Sequence, residues 1–375
     1  MNISPHNPLP FEIEDLIERV PVALDEALIK QQVQNKTILI TGAAGSIGSE
    51  MVRQLIPFEI RKMILMDQAE TPLYELELEI QEDYRFQDFD SIIGDVSDKD
   101  RMEHVFKRFR PDIIYHAAAY KHVPIMEFNA GEAVRTNILG TKILAEAAEK
   151  NEVEKFIHIS SDKAVNPANV MGASKRMTEL YIQAKNGDSN TSFATTRFGN
   201  VLGSNGSVVS RFMKQIAAGG PVTVTHPEVT RYFMTLSEAC QLVLEAGAMS
   251  RGGEIYLFDM GEPMKVADLA RKMIRLSGKE PDKDIQLEFT HLRPGEKLQE
   301  ELLGDVEQSE STAHSRIRIV RQLNHRHPDI LRGIAAIERL YRSWDEDTII
   351  KKMEKLIPEF KRQHMISGGM DPSDH

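Results

Sequence analysis

The sequence has a single cysteine, no long apolar run and no secretory leader pattern. Cys240 is the only cysteine among 375 residues, which excludes a disulfide framework and is typical of a protein from a reducing compartment. No uninterrupted apolar segment approaches the roughly 18 residues that a membrane-spanning helix needs. We therefore expect a soluble chain with a cytoplasmic location.

Positive charge is also in deficit. The chain carries 57 acidic and 46 basic side chains, for a formal net charge of −11, which argues against a nucleic-acid partner. The hydrophobic fraction of 41% and the charged fraction of 27% are those of an ordinary globular protein. The length is sufficient for one large domain or two modest ones.

A glycine-rich turn follows the first predicted strand, Thr37 to Ile40. Glycines at these spacings permit a tight turn and let a pyrophosphate approach the backbone amides at the start of a helix. A second predicted strand ends in Asp67, about 20 residues further on, as dinucleotide-binding units require. The turn supplies these candidate cofactor-binding residues: Gly42, Gly45, Ser46, Ile47 and Gly48.

Acidic and small residues after the next strands complete the predicted cofactor site. Asp67 can accept hydrogen bonds from both ribose hydroxyls and would repel a 2′-phosphate, which favours NAD over NADP. Asp95 and its neighbour Val96 could bind adenine, although an acid at this position could also simply stabilise a turn. Three small side chains that let the backbone pack against a cofactor follow the fourth strand: Ala117, Ala118 and Ala119.

Five strand–helix alternations predict an α/β fold with a Rossmann-like, doubly wound parallel sheet. The second half loses this alternation and predicts a smaller C-terminal α/β substrate-binding domain that includes a strand at Ile255 to Phe258. The predicted divisions are 1–35, an N-terminal arm with an amphipathic segment; 36–198, the NAD-binding domain with the catalytic residues; 199–327, mainly the substrate-binding domain; and 328–375, C-terminal helices and a disordered tail.

Functional side chains collect after the fifth predicted strand, Phe156 to Ile159. Ser161, Asp162 and Lys163 follow it directly, at the sheet edge where open α/β folds bind ligands. The next helix begins near Val170 and places Met171 and Lys175 four residues apart, on one face. The alternative is a surface loop with a solvated acid–lysine pair.

Three cations in the second half, Arg231, Arg293 and Lys297, could clamp a diphosphate from separate loops. The alternative is that these exposed cations only solvate the surface. The sequence predicts no metal site.

Several motifs together carry a family resemblance. Besides the glycine turn and Asp67, they are HAAAYKHVPIMEFN (116–129), RTNILGT (135–141), SSDKAVNPANVMGASKR (160–176), RFGNVLGSNGSVV (197–209) and LRPGEKLQEELL (292–303). They resemble the extended short-chain dehydrogenase/reductase superfamily and, more narrowly, the bacterial UDP-N-acetylglucosamine 4,6-dehydratases of capsule, O-antigen and protein-glycan biosynthesis. The resemblance implies a lyase that uses NAD catalytically and dehydrates a UDP-sugar to a 4-keto-6-deoxy product.

One position departs from the superfamily pattern. Most short-chain dehydrogenases carry a tyrosine four residues before the helix lysine, whereas this chain has Met171, whose thioether cannot accept a proton near neutral pH. A branch of the dehydratases resembles this sequence at that position, so the acid–base work is expected to have moved to Asp162 and Lys163.

The resemblance implies a role for each remaining residue. Asp162 is the acid for the departing C6 hydroxyl, Lys163 the base at C5, Ser161 a hydrogen-bond partner of the C4 oxygen, and Lys175 the ligand of the nicotinamide ribose. The group that deprotonates the C4 hydroxyl stays open between Asp162, Lys163 and a water relayed by Ser161. Residues expected at the sugar diphosphate are Asn200, Arg231 and Arg293, with Lys121 either at the sugar or facing outward.

Two other functions fit parts of the pattern, namely a UDP-sugar 4-epimerase and a non-catalytic NAD-binding sensor. The resemblance also implies a homodimer or larger homo-oligomer, with the helices at 130–150 and 170–185 forming a four-helix interface. Many relatives have membrane spans before the catalytic domain, and Glu14 to Asp25 resembles the linker that follows those spans. This suggests a longer protein tethered at the cytoplasmic face of the inner membrane.

Overall fold

The computed structural model describes residues 11–17, 19, 22, 24–187, 189–322 and 327–362. Within these residues the chain forms fifteen strands, numbered in chain order. They are β1 (Thr37–Thr41), β2 (Lys62–Asp67), β3 (Phe89–Ile93), β4 (Ile113–His116), β5 (Lys155–Ile159), β6 (Ser192–Arg197), β7 (Asn200–Val201), β8 (Val222–Val224), β9 (Thr230–Arg231), β10 (Phe233–Met234), β11 (Ile255–Phe258), β12 (Met264–Lys265), β13 (Leu287–Phe289), β14 (Glu307–Ser311) and β15 (Ile317–Gln322).

The helices alternate with the strands in the first half and cluster at the end of the second. They are α1 (Glu26–Val33), α2 (Ser46–Leu55), α3 (Glu70–Glu82), α4 (Lys99–Phe109), α5 (Val123–Met126), α6 (Ala130–Glu132), α7 (Gly140–Lys150), α8 (Val170–Asn186), α9 (Val208–Ala217), α10 (Leu236–Met249), α11 (Val266–Leu276), α12 (His327–Leu340) and α13 (Glu346–Leu356). A π-helical segment, Ala133–Leu139, joins α6 to α7.

The main sheet has nine strands in the order β14-β15-β11-β6-β5-β4-β1-β2-β3. The seven strands from β11 to β3 are parallel, which confirms the predicted doubly wound sheet. The chain runs outward from β1 to β3 and then returns to place β4 on the other side of β1. This reversal opens a crevice at the carboxyl ends of β1 and β4, where such sheets bind ligands.

The position of β11 differs from the sequence prediction. It lies in the main sheet between β6 and β15, whereas the prediction put it in the smaller domain. All four of its residues are buried, as expected of an interior strand. β14 was not predicted because its polar sequence, EQSES, has no strand periodicity. The predicted domain boundaries themselves stay a prediction.

A smaller layer contains the strand pairs β7–β10, β9–β12 and β8–β13. Its apolar core is formed chiefly by α9 and α11, and the N-terminal arm packs against it through Phe11, Leu16 and Ile17. The predicted amphipathic helix in the arm is a short 3₁₀ turn, Ile13–Leu16. Residues 1–10 lie outside the described residues, as does the tail predicted to be disordered from Lys361 to His375, except for its first two residues. Those two are ordered, since the Lys361 amide donates to the Pro167 carbonyl at 3.0 Å and Arg362 pairs with Glu127 at 3.0 Å.

The two predicted C-terminal helices are present as α12 and α13, and they cover α8. Ile334, Ile337 and Ile349 share a buried cluster with Met177 and Tyr181. The first ten residues of α8 are all buried within this one chain. The face of α8 that we expected to meet a second subunit is therefore covered by the chain's own helices, and the oligomer stays a prediction. Among the described residues, no helix is long and apolar enough to cross a bilayer.

Candidate active site

The glycine turn lies against the backbone after β4. Gly42 has a φ of +67°, and a Cβ there would lie 2.7 Å from the amide nitrogen of Ala118. A Cβ on Gly48 would lie 2.1 Å from the Gly42 oxygen. A side chain at either position would collide with backbone atoms, so both must be glycine. Such close backbone packing is typical of a turn that binds a pyrophosphate.

A cavity opens at this turn. Eight predicted cofactor residues line it: Gly42, Gly45, Asp67, Asp95, Val96, Ala117, Ala118 and Ala119. Five lining residues were not predicted: Met66, Gln68, Gly94, Tyr120 and Thr136. Ser46, Ile47 and Gly48 form the first turn of α2 behind it. Because Gly45 at the N-cap has no side chain, the first-turn amides of α2 have no side-chain cap and can bind a phosphate.

The two predicted acids of this cavity are differently placed. Asp67 accepts hydrogen bonds from the amides of Ala44 at 3.0 Å and Ala69 at 2.9 Å, which fixes its carboxylate at the end of β2. Asp95 accepts from the Ser97 amide and hydroxyl, both at 2.8 Å, and pairs with Arg135. Asp95 therefore has the turn-stabilising contacts of the alternative interpretation, and it lines the cavity as well.

The end of β5 carries the predicted acid–lysine pair. Asp162 is fully buried, and its Oδ1 accepts from Ser161 Oγ at 2.8 Å and from Lys163 Nζ at 3.1 Å. Its Oδ2 has no hydrogen-bond partner among the described residues. Lys163 Nζ also donates to Asn200 Oδ1 at 3.1 Å, so Asn200 touches the acid–base pair as well as being a candidate substrate residue.

Helix α8 packs tightly on this turn. A Cβ on Gly172 would lie 2.2 Å from the Lys163 carbonyl oxygen. Lys175 Nζ donates to the Ile159 carbonyl at 2.8 Å, and burial lowers its pKa to about 8 against the opposing effect of Glu179. Met171 is 2% exposed and belongs to an apolar cluster, so it offers no polar group to the site.

Polar residues that sequence reasoning missed connect the cavity to α8. Asn137, in the π-helical segment, bonds both the amide and the carbonyl of Tyr120 and donates to Ser174 Oγ at 2.9 Å. His116 bonds Thr41 at 2.7 Å and Thr141 at 2.9 Å, and burial with nearby Lys175 lowers its pKa to about 3. The segment RTNILGT contained Asn137, but the spacing alone indicated no role for it.

Two of the predicted clamp residues, Arg231 and Arg293, meet through Glu296, and Glu300 links Arg231 to Lys163; neither glutamate was predicted. The third clamp residue, Lys297, instead donates to the Val165 carbonyl at 3.2 Å and pairs with Glu301 at 3.3 Å. Glu296 Oε1 lies 3.1 Å from Arg231 Nη2, and Glu296 Oε2 lies 3.3 Å from Arg293 Nε. Glu300 Oε1 lies 3.9 Å from Arg231 Nε and 3.5 Å from Lys163 Nζ. Charges of alternating sign therefore run from Asp162 to Arg293, and we call these six residues the charge ladder: Asp162, Lys163, Glu300, Arg231, Glu296 and Arg293.

The ladder sets the charge state of the lysine. Burial lowers the pKa of Lys163, but the negative charges of Asp162 and Glu300 outweigh it and raise the pKa above its ordinary value. The side chain of Arg231 is 9% exposed and that of Arg293 is 49% exposed. The ladder thus leads from a buried acid–base pair to a cation at the surface.

Lys121 is exposed, as the outward-facing alternative suggested. It nevertheless lies close to His122, where partial burial and the positive charges of Lys121 and Arg293 lower the histidine pKa. A Cβ on Gly206 would lie 2.7 Å from His122 Cε1, and the neighbouring Asn205 amide donates to Ser46 Oγ at 2.9 Å. The glycine-rich loop after β7 therefore joins the start of α2 to this basic surface.

Comparison with known proteins identifies relatives in glycan biosynthesis. A family model described as "Polysaccharide biosynthesis protein" matches residues 38–322. The chain is 56% identical to the capsular polysaccharide biosynthesis protein CapD of Staphylococcus aureus over 79% of this chain and 50% of that protein. The chain therefore spans about half the length of this relative.

Two shorter relatives have different named activities. A UDP-N-acetylglucosamine 4,6-dehydratase (inverting) of Campylobacter jejuni is 35% identical over 71% of this chain and 76% of its own. A UDP-glucose 4-epimerase of Rickettsia canadensis is 34% identical over 74% of this chain and 80% of its own.

Solved structures agree with the fold. The crystal structure of Pen from Bacillus thuringiensis has a TM-score of 0.71 and 32% identity, and covers 77% of this chain and 89% of its own. The extent of the family match and the identity to CapD are decisive. The chain belongs to the polysaccharide biosynthesis protein family, whose model covers its nucleotide-binding sheet, its acid–lysine pair and its charge ladder.

Proposed function

We propose that this chain is an NAD-dependent lyase that dehydrates UDP-N-acetylglucosamine to the UDP-linked 2-acetamido-2,6-dideoxy-4-keto-hexose. The observation that carries the proposal is the Asp162–Lys163 pair, in which a fully buried carboxylate contacts a half-buried lysine that is joined through Glu300 to Arg231. An elimination across C5 and C6 needs one acid and one base side by side. The 35% identical dehydratase supports the choice of sugar.

The nucleotide site fits NAD. The glycine turn leaves room for backbone contact with a pyrophosphate, and the Asp67 carboxylate at the end of β2 would hold the ribose hydroxyls. Lys175 in α8, whose Nζ lies at the end of β5, would hold the nicotinamide ribose. When bound, NAD supplies a hydride acceptor for C4 and a hydride donor for C6, so no net oxidation occurs.

The side chains at the end of β5 would move the protons. Ser161 Oγ donates to Asp162 Oδ1, so the C4 hydroxyl proton can pass through Ser161 to the carboxylate. Asp162 then gives this proton to the C6 hydroxyl, which leaves as water. Neutral Lys163 takes the C5 proton, the C–H electron pair becomes the C5–C6 double bond, and Lys163 later returns a proton to C5.

This division of labour predicts a pH dependence. Because the carboxylates raise the pKa of Lys163, the neutral amine is the minor form near neutral pH. We therefore expect kcat/KM to rise as the pH increases and Lys163 loses its proton.

The diphosphate would bind at the outer end of the ladder. Arg231 and Arg293 can each present guanidinium nitrogens to phosphate oxygens, and the nearby Lys121 adds positive charge. The Glu296 carboxylate pairs with both guanidinium groups. A diphosphate would therefore replace Glu296 at the two arginines.

The decisive experiment is proton NMR of UDP-N-acetylglucosamine incubated with the protein and NAD in deuterated water. We expect a C6 methyl signal, a C4 ketone and deuterium at C5. A sugar of unchanged mass with inverted C4 would indicate a 4-epimerase, the activity named for the Rickettsia relative. Tight NAD binding with no change in any offered UDP-sugar would indicate a sensor.

A further inference from the structure

Glu300 lies in the loop between β13 and β14, far along the chain from the acid–base pair. Its side chain is 4% exposed. A carboxylate so deeply buried needs a charged partner to offset its lost hydration. Its nearest cation is Lys163, with Oε1 3.5 Å from Nζ, and the distance to Arg231 Nε is longer, at 3.9 Å.

Arg231 does not depend on Glu300. It already pairs with Glu296 at 3.1 Å and donates to the carbonyl oxygens of Thr230 at 2.7 Å and Leu298 at 3.3 Å. Lys163, by contrast, has three polar neighbours at its nitrogen: Asp162, Asn200 and Glu300. An ammonium has three N–H donors; two of them bond Asp162 and Asn200, and the Glu300 carboxylate forms an ion pair with the same nitrogen at 3.5 Å.

We propose that Glu300 is a positioning residue for Lys163: its carboxylate holds the amine in place and stabilises the ammonium that forms when Lys163 takes the C5 proton. This inference rests on the proposed dehydration. The arrangement has the logic of a catalytic triad, in which a buried carboxylate orients a base and stabilises its protonated form. In the step itself, the C5–H bond breaks, an N–H bond forms, and the electron pair goes to the C5–C6 bond as water leaves.

Charges on every adjoining element bear on this lysine. Asp162 is on its own turn, Glu300 comes from the β13–β14 loop, and Arg231 from β9 lowers its pKa. Tyr232 follows Arg231 in the chain and has a raised pKa, chiefly through burial and then through the charges of Glu262 and Asp162. Among these groups, Asp162 and Glu300 are the two negative charges close to Lys163. Removal of Glu300 should therefore lower the pKa of Lys163.

The test compares Glu300→Gln with Glu300→Asp and with Glu301→Gln. Glu301 is the matched control because it follows directly in the chain, pairs with Lys297 at 3.3 Å and is 47% exposed. For Glu300→Gln we expect kcat to fall at least about tenfold, part of the roughly 10²–10⁴ that acid–base groups contribute. UDP affinity by calorimetry should be kept, the acid limb of kcat/KM should move to lower pH, and Glu300→Asp should recover part of the rate.

A second measurement needs no turnover. Acylating reagents modify only the neutral amine, so the pH midpoint of Lys163 labelling, read by mass spectrometry of the NAD-loaded protein, reports its proton affinity. We expect a lower midpoint in Glu300→Gln and no change in Glu301→Gln. An unchanged midpoint and unchanged pH limb would overturn the role of Glu300. A shifted midpoint in a protein that dehydrates no sugar would keep the effect of Glu300 on the proton affinity of Lys163 and refute the proposed function.

Discussion

At the scale of single residues, Asp162 and Lys163 carry both proton transfers of the proposed elimination. The amide in Asp162→Asn cannot give a proton to the C6 hydroxyl, and the thioether in Lys163→Met cannot accept the C5 proton. We expect each to lower 4-keto product formation by at least about 10²-fold, with NAD still bound, as measured by product assay and by NAD content after denaturation. Lys185→Met, at the far end of α8, is the control. Retained turnover in either variant would remove that residue from the mechanism.

The methionine that replaces the usual tyrosine is a residue of the core. Because Met171 is 2% exposed in an apolar cluster, a phenol there must be accommodated by repacking, which typically costs about 1–3 kcal/mol. We expect Met171→Tyr to lower the melting temperature and leave kcat no higher than in the parent chain. A several-fold gain in kcat would show that the acid–base machinery has been misplaced.

Glu296 is the residue that the diphosphate would displace from the two arginines under the proposed function. Replacing it by glutamine frees the Arg231 and Arg293 guanidinium groups for phosphate oxygens. We expect Glu296→Gln to bind UDP more tightly by about 1 kcal/mol, roughly fivefold, in calorimetric titrations, with Glu301→Gln unchanged. Weaker UDP binding would mean instead that Glu296 aligns the arginines for the ligand.

At the scale of elements, the catalytic turn is held in place by the start of α8. Gly172 permits this contact because any Cβ would lie 2.2 Å from the Lys163 carbonyl, a backbone atom that cannot rotate away. We expect Gly172→Ala to displace the turn, with a loss of turnover of at least about tenfold and a lower melting temperature. Gly187→Ala is the matched control at the other end of the helix, where the nearest atom is 3.9 Å away. Equal turnover in both variants would contradict this account.

At the scale of the whole molecule, a buried ionic cluster joins the two halves of the chain behind the active site. Arg197 in β6 contacts Glu179 at 2.6 Å and Glu307 at 2.7 Å, and Arg176 contacts Glu307 at 2.8 Å. Ser160, next to the catalytic residues, donates to Glu179 at 2.7 Å. The cluster therefore ties α8, β6 and β14 to the turn that carries Asp162.

We expect Glu307→Gln to lower the free energy of unfolding by about 3 kcal/mol, because only Glu179 and the partly exposed Glu359 would then compensate the buried charges of Arg176 and Arg197. The control is Glu310→Gln on the same strand, where the side chain is 59% exposed. Urea unfolding of both variants at several pH values measures the effect. A loss no larger than that of the control would show that the cluster contributes little.

The sign of the pH dependence follows from the position of Glu307. Although burial opposes it, Arg197 and Arg176 together lower the pKa of Glu307 to about 2. A carboxyl whose pKa is lower in the folded state stabilises the fold above its unfolded pKa, and the contribution is lost as the pH falls towards the folded value. The difference between Glu307→Gln and the parent chain should therefore be largest above pH 4.5 and should shrink as the pH falls towards 2.

The sequence by itself determined what depends on short stretches of chain. The glycine turn, the parallel strand–helix alternation and the Asp162–Lys163 pair are all encoded by neighbouring residues, since turn geometry and strand periodicity are local properties. The start of α8 at Val170 and the bounds of β11, Ile255–Phe258, could be predicted for the same reason.

Only the tertiary structure decided what depends on residues distant in the chain. Glu300 reaches Lys163 across 137 positions, β11 joins the main sheet rather than the smaller layer, and α12 covers the face of α8 expected to meet a partner. No local pattern distinguishes a glutamate that will be buried beside a lysine from one that will be solvated. That outcome is settled by packing, because burial is what makes the pairing of their charges necessary.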